Sequence, residues 1–418
     1  MSTETVTIAN LGAEGDGVAH TPAGAVYVPF ALPGEAVAIA RVKNQGTIMS
    51  ITTPSPDRRA PACCHFGPDA EGGACGGCSL QHYADAPYQA YKRGLVVDAL
   101  KAKGLDVPVA PLIPAQPGER RRTVFTMRRT EKEMLIGFNQ AGSHHIVSIR
   151  ECPVAVPGIV ARLDDIRAIG SALATSTDPF RVTVLETATG LDLGFEGIRK
   201  LGDKERQAMT RAVLRLKGIA RVSHEGEILI EPVKPLISFG GVSVSPAPAG
   251  FTQATVAAEE AMAELVLGHL AKAKKIADLF AGAGTFALRL ARKAKVHAVE
   301  GEAKALAALD LAARNTQGLK PVTVEKRDLF RRPLMVSELK GFDGLVFDPP
   351  RAGAEAQVKE LARTAIPRIA AVSCNPLTLA RDLRVLVDGG YRIDSVTPID
   401  QFLWSSHVEA VALLSREK

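Results

Sequence analysis

"KIADLFAGAGTFALRLARKAKVHAVEG", residues 275–301, runs from an apolar strand through a glycine turn into a helix, then into a second strand that ends on an acid. Asp278, Gly282 and Gly284 mark the turn, and Glu300 closes the second strand. Glycines at such a turn let the backbone approach a ligand closely, and an acid ending the next strand can bind ribose hydroxyls. Ala287 stands where a dinucleotide site has its third glycine, a replacement only some such folds accept. With strand, helix and acid in place, the segment reads as a site for a nucleoside cofactor.

Working outward, the strands "KIADLF", "VHAVEG", "VTVEKRD", "GLVFDPP", "IAAVSCNP", "RIDSVTPI" and "HVEAVALLS" follow one another, the first six separated by helical stretches. That spacing predicts a parallel, doubly wound sheet whose last strand returns antiparallel beside the sixth. Such sheets bind ligands beyond the carboxyl ends of their strands. Asp348 of "VFDPPRAG" ends the fourth strand there, and Cys374 of "AAVSCNPLTLARD" ends the fifth beside it. Free cysteine is ordinarily a small buried hydrophobe. Here Glu409, in the apolar strand "SHVEAVALLS", is a carboxylate whose burial is costly unless it is hydrogen-bonded or functional. A thiol nucleophile and a carboxylate base are therefore expected to share one crevice.

Upstream, residues 4–53 alternate small apolar strands with Gly and Pro turns, the pattern of a small β-barrel. A Pro-rich break leads to the cysteine segment "CCHFGPDAEGGACGGCSLQH", then to one amphipathic helix over 86–103 with Leu95, Val96, Ala99 and Leu100 on its apolar face. Short strands between 120 and 240 predict an α+β middle region. The chain has 418 residues, more than one core of about 250–300 residues accommodates. Boundaries are expected at 1–56, 57–245 and 246–418, with helix 86–103 packing on the third unit. With 46% hydrophobic and 23% charged residues the chain is globular, and no apolar run or leader marks it for a membrane or export. A cytoplasmic protein is expected. Net charge is +6, and "GERRRTVFTMRR" (118–129) and "EKRDLFRR" (325–332) read either as phosphate-binding surface or as solvated basic faces.

"DLFAGAGTF", "FDPPRAG", "SCNPLTLARD" and "HVEAVALL", with "GFTQAT" (250–255) and "CGGCSLQH" (75–82), resemble the RNA uracil-5-methyltransferase family over essentially the whole chain. The N-terminal segment looks like a TRAM domain, an OB-like RNA-binding barrel. Barrel and cysteine cluster together make the chain most similar to the bacterial 23S rRNA enzymes. The resemblance implies an α/β Rossmann-like methyltransferase sheet with a TRAM barrel and an α+β middle domain, and S-adenosylmethionine as cofactor. By motif, Gln253 matches a contact to the methionine part, Phe280 and Glu300 flank the nucleoside, Asp328 falls at the adenine end, and Asp348 lines the cleft. The family commonly has Gln-x-Asn where this chain has Gln253-Ala-Thr255.

Uracil C5 is a poor nucleophile, and a thiolate added at C6 makes it an enolate-like one. That role falls to Cys374, and the later removal of the C5 proton to Glu409. The target uridine must be flipped out of its stack to reach them.

Cys75 and Cys78 form C-x-x-C, and Cys152 supplies a distant thiol. The family pattern C-P-H-F-G aligns Cys63 of "CCHFG" with its cysteine, while the inserted "PDAEGGA" leaves Cys64 as a substitute ligand. Four thiolates suit zinc or a [4Fe-4S] cluster, and the resemblance favours the cluster, in a structural role. The competing readings are a tRNA uracil-5-methyltransferase and a non-catalytic RNA-binding protein. A DNA cytosine-5 enzyme is disfavoured, since its nucleophile normally follows proline and Cys374 follows Ser373. RNA is the expected partner, with neither DNA nor membrane. Protein partners are left open.

Overall fold

Seven strands form the last sheet of the chain: β1 (Lys275–Leu279), β2 (Lys295–Glu300), β3 (Val322–Lys326), β4 (Gly344–Phe347), β5 (Arg368–Ser373), β6 (Arg392–Ile399) and β7 (Glu409–Ser415). Their spatial order is β3-β2-β1-β4-β5-β7-β6 in the computed structural model, which describes residues 2–416. The first five are parallel. The last strand lies antiparallel beside the sixth, as expected, and also pairs with β5, so that β7 slots between β5 and β6. The reason is legible in its composition. "EAVALLS" is nearly all apolar and almost wholly buried, as a central strand must be and an edge strand must not.

Two cores sandwich this sheet. One includes Leu345, Phe347, Ile369 and Leu383 and takes in Val96, Ala99 and Leu100 of the helix Asp85–Lys101. The other gathers Met262 and Val266 of the helix Val256–His269 against Ile276, Val296 and Val411. The helix Asp85–Lys101 starts and ends one or two residues from expectation and buries Val96, Ala99 and Leu100, with Leu95 half-buried beside them. It also buries Tyr88 and Lys92, which hydrophobic periodicity does not select.

Residues 122–230 form a second seven-stranded sheet, mostly antiparallel, against which the helices Leu163–Leu173 and Asp203–Arg215 pack. Residues 2–53 form a six-stranded sheet around Val26, Val28, Val37 and Ile39. Glu35, fully buried there, accepts hydrogen bonds from the Leu32 and Ser55 amides and a two-pronged ion pair from Arg58.

Candidate active site

Above the carboxyl ends of β1, β2, β4 and β5 lies a cavity of about 710 Å³. Gln253, Phe280, Gly282, Glu300, Asp328, Asp348, Cys374 and Glu409 all line it. Gly284 does not. It turns the chain at φ +102°, and a Cβ there would meet Leu288 and Leu309 at 2.9–3.0 Å, so the residue serves packing beneath the turn. At Gly282 a Cβ would meet nothing within 4 Å, leaving backbone open to the cavity. Phe280 holds φ +59°, a left-handed conformation uncommon outside glycine and concentrated at functional turns. Asp278 is fully buried under the turn, and burial pushes its carboxyl well above the usual range.

At the cofactor end, Glu300 already accepts the Gly282 amide (2.9 Å) and the Glu302 amide (2.7 Å), which fixes its carboxylate at the rim. Asp328 accepts the Phe330 amide (3.0 Å), and the rings of Phe280 and Phe330 meet at 5.4 Å. Two carboxylates flanking an aromatic wall suit a ribose and an exocyclic amine.

The reacting end follows from strand register. Ser373 pairs with Ala410 across β5 and β7, so one step further Cys374 faces Glu409, side chains on the same face. The Cys374 thiol is pushed up to about 11, by burial first and then by Glu409 and Asp348, while Arg351 pulls it down. Asp348 is raised to about 7 by burial, against a hydrogen bond from Gln253. Glu409, 2% exposed, is raised well above the carboxylate range by burial and then by Asp348. A hydrogen bond from Gln401 opposes both.

Sequence reasoning missed Gln401, Arg351 and Phe402, all of which line the cavity. Gln401 donates to Glu409 at 3.0 Å and to Gln253 at 2.9 Å, and Gln253 donates to Asp348 at 2.9 Å. The only signal was a polar residue in "DQFLWSS", the short connection between the last two strands.

The basic run at 118–129 is partly buried: Arg121 is inside, Arg120, Arg122 and Arg129 are half-buried and Arg128 is exposed. Arg121 is buried against Glu259 at 2.6 Å, Arg120 lies over the Phe402 ring, and Arg122 lies over the exposed ring of Phe251 at the cavity mouth. In the other run Arg327 is bound by Glu325 and Glu338, while Arg331 and Arg332 are exposed.

Cys63, Cys75, Cys78 and Cys152 line a second cavity of about 300 Å³, and Phe402 lines both cavities. All four are free thiols, and burial pushes Cys63 and Cys78 up to about 12. Cys64 is exposed and its amide donates to Glu151. Among the described residues no group of three or more His, Cys, Asp or Glu side chains is placed to hold a metal ion, so the expected ligand set is gathered but not closed.

A family profile described as tRNA (Uracil-5-)-methyltransferase matches residues 247–417. An RNA methyltransferase of Agrobacterium fabrum is 67% identical across 100% of both chains. A 23S rRNA (uracil(1939)-C(5))-methyltransferase of Pectobacterium atrosepticum is 31% identical over 98% of this chain and 93% of that one. The crystal structure of Pyrococcus abyssi tRNA (uracil-54, C5)-methyltransferase with S-adenosyl-L-homocysteine superimposes with a TM-score of 0.76 at 26% identity, covering 98% of this chain and 99% of that one.

Proposed function

The chain belongs to the RNA uracil-5-methyltransferase family, S-adenosylmethionine-dependent enzymes, and we propose that it methylates C5 of a uridine in 23S rRNA through a covalent bond between Cys374 and C6. The observation that carries this reading is that Cys374 and Glu409, each next to the Ser373–Ala410 pair of β5 and β7, line the same cavity. The rRNA target rests on the Pectobacterium relative. The Pyrococcus enzyme, named for uracil-54 of tRNA, is the second reading.

S-adenosylmethionine supplies an electrophilic methyl on a cationic sulfur. Gln253, Phe280, Gly282, Glu300, Asp328 and Asp348 would hold it, the open backbone at Gly282 and the two rim carboxylates being the features that fit. The Cys374 thiolate adds to C6, which makes C5 nucleophilic. Once C5 is methylated, Glu409 takes its proton, the C5–C6 double bond re-forms and the C6–S bond breaks to return the thiolate. Arg351 is the cation that favours the thiolate. Phe251, 67% exposed under the Arg122 guanidinium, offers a base-stacking surface at the mouth.

The finer architecture is part of the same proposal: a TRAM barrel over 1–56, a middle domain over 57–245, a methyltransferase domain over 246–418, and a cytoplasmic location. Closure of the barrel is supported by Ser2–Thr7 and Asn10–Leu11, which follow one another in the chain but pair with strands on opposite sides of the sheet. No helix among the described residues is long and apolar enough to cross a membrane. A [4Fe-4S] cluster on Cys63, Cys75, Cys78 and Cys152 is supported by four free thiols facing one cavity.

With 23S rRNA and cofactor labelled in its methyl group, Cys374→Ala gives no methylated product and no covalent species. Glu409→Gln accumulates a labelled protein–RNA band. If Cys374→Ala still makes 5-methyluridine, the thiol is a core residue and the mechanism is wrong.

A further inference from the structure

The geometry points to Gln401 as a positioning residue that aims the base Glu409 and donates to its carboxylate, an inference that rests on the covalent mechanism above. Gln401 is 3% exposed, and all its amide atoms are engaged. Its Oε1 accepts the Ala254 amide at 2.7 Å. A backbone N–H is a donor only, so it forces the Gln401 oxygen towards Ala254 and the Gln401 nitrogen towards Glu409 and Gln253. The Gln253 oxygen must then face Gln401, and its nitrogen Asp348. One main-chain group thus sets the direction of the whole chain of amides. Both carboxylates at its ends receive N–H donors at Glu409 Oε2 and Asp348 Oδ2, and donors of this kind favour the charged form.

Gln401 cannot drift, because its neighbour is clamped. Asp400 accepts Lys92 Nζ at 2.6 Å, the Tyr88 hydroxyl at 2.7 Å and the Phe402 amide at 3.0 Å, and Lys92 also reaches the Phe402 carbonyl at 3.0 Å. The side chains that bear on Glu409 are Asp348 from the end of β4, Cys374 from the end of β5 with Arg351 beyond it, and Gln401. Asp348 works against a charged Glu409, and Gln401 is the donor that works for it. Gln401 engages Oε2 and leaves Glu409 Oε1, which has no donor among the described residues, to take a proton from C5.

Removing the donor raises the proton affinity of Glu409, so the acidic limb of proton abstraction moves to higher pH. The probes are 23S rRNA transcripts made with uridine or with 5-fluorouridine, methyl-labelled cofactor, and the full-length chain. A 5-fluorouridine ring carries no C5 proton, so its covalent adduct stalls whatever the base does and reports thiolate addition and methyl transfer without proton removal. Expected for Gln401→Met is a near-normal rate of stalled adduct on fluorinated RNA. On uridine RNA its product release is slowed roughly tenfold at neutral pH, with the methylated adduct visible. The rate should recover as pH rises. Gln401→Asn, which keeps a shorter donor, is expected to shift the limb less and serves if the methionine variant does not fold. An unmoved acidic limb, or equal loss of stalled adduct and of turnover, overturns the role of Gln401. Failure of the unaltered protein to form any adduct with fluorinated RNA overturns the covalent mechanism instead.

Discussion

On the proposed mechanism Cys374 is a nucleophile held in reserve. Burial and two carboxylates push its thiol up to about 11, so in the free protein the reactive thiolate is scarce at neutral pH. Iodoacetamide labelling of the Cys374 peptide, read by mass spectrometry, should accelerate about tenfold per pH unit between pH 7 and 9. Arg351→Met should slow it further at each pH, because a cation that lowers the thiol is gone. A labelling rate that flattens below pH 8 would show a thiolate already formed. At this scale the sequence was readable in placement: Asp348, Cys374 and Glu409, each at a strand end, do line one cavity. It was ambiguous where one residue type serves two ends. Gly282 and Gly284 look alike in "AGAG", yet one opens onto the cavity and the other avoids Leu288 and Leu309. Gln401 was illegible because its role depends on a main-chain amide 147 positions away.

Among elements, the helix Asp85–Lys101 shows the limit of periodicity. Its apolar stripe was readable, but Lys92 sits on the buried side with 0% of its side chain exposed, paired to Asp400 at 1%. Nothing local in "YQAYKRGLVV" announces a partner from the β6–β7 connection. Lys92→Met leaves Asp400 buried without its cation, which should cost about 3–5 kcal/mol in urea unfolding. Adding Asp400→Asn should return part of that loss, and a double variant as unstable as the sum of the singles would mean that the pair is not coupled. The insertion of β7 between β5 and β6 was likewise missed. Strand existence follows from composition, while strand order depends on which faces remain to be covered.

For the whole molecule, Glu35 ties the N-terminal sheet to the cysteine-bearing region through Ser55 and Arg58. Burial would raise its carboxyl, but the hydrogen bonds from Arg58, Leu32 and Ser55 outweigh it and hold it below the usual value. A depressed carboxyl stabilises the fold above its unfolded value of about 4.3, and the contribution is lost as pH falls through the folded value. Deleting residues 1–55 removes Glu35 and the Gly12 carbonyl that accepts from Tyr91, while the S-adenosylmethionine cavity keeps all its lining residues. Cofactor affinity by calorimetry should therefore persist, while RNA affinity weakens and its dependence on salt becomes shallower. Unchanged RNA affinity and unchanged methylation would make the N-terminal sheet a structural appendage.

The antiparallel slot of β7 also imposes a schedule on synthesis. β5 and β6 both precede it in the chain, so until β7 emerges they present facing, unpaired edges, and Cys374 has no acid across from it. On the proposed mechanism a partly made chain therefore lacks the group that would release a covalently held RNA. The sheet acquires Glu409, its proposed proton acceptor, in the same step that seals its open seam.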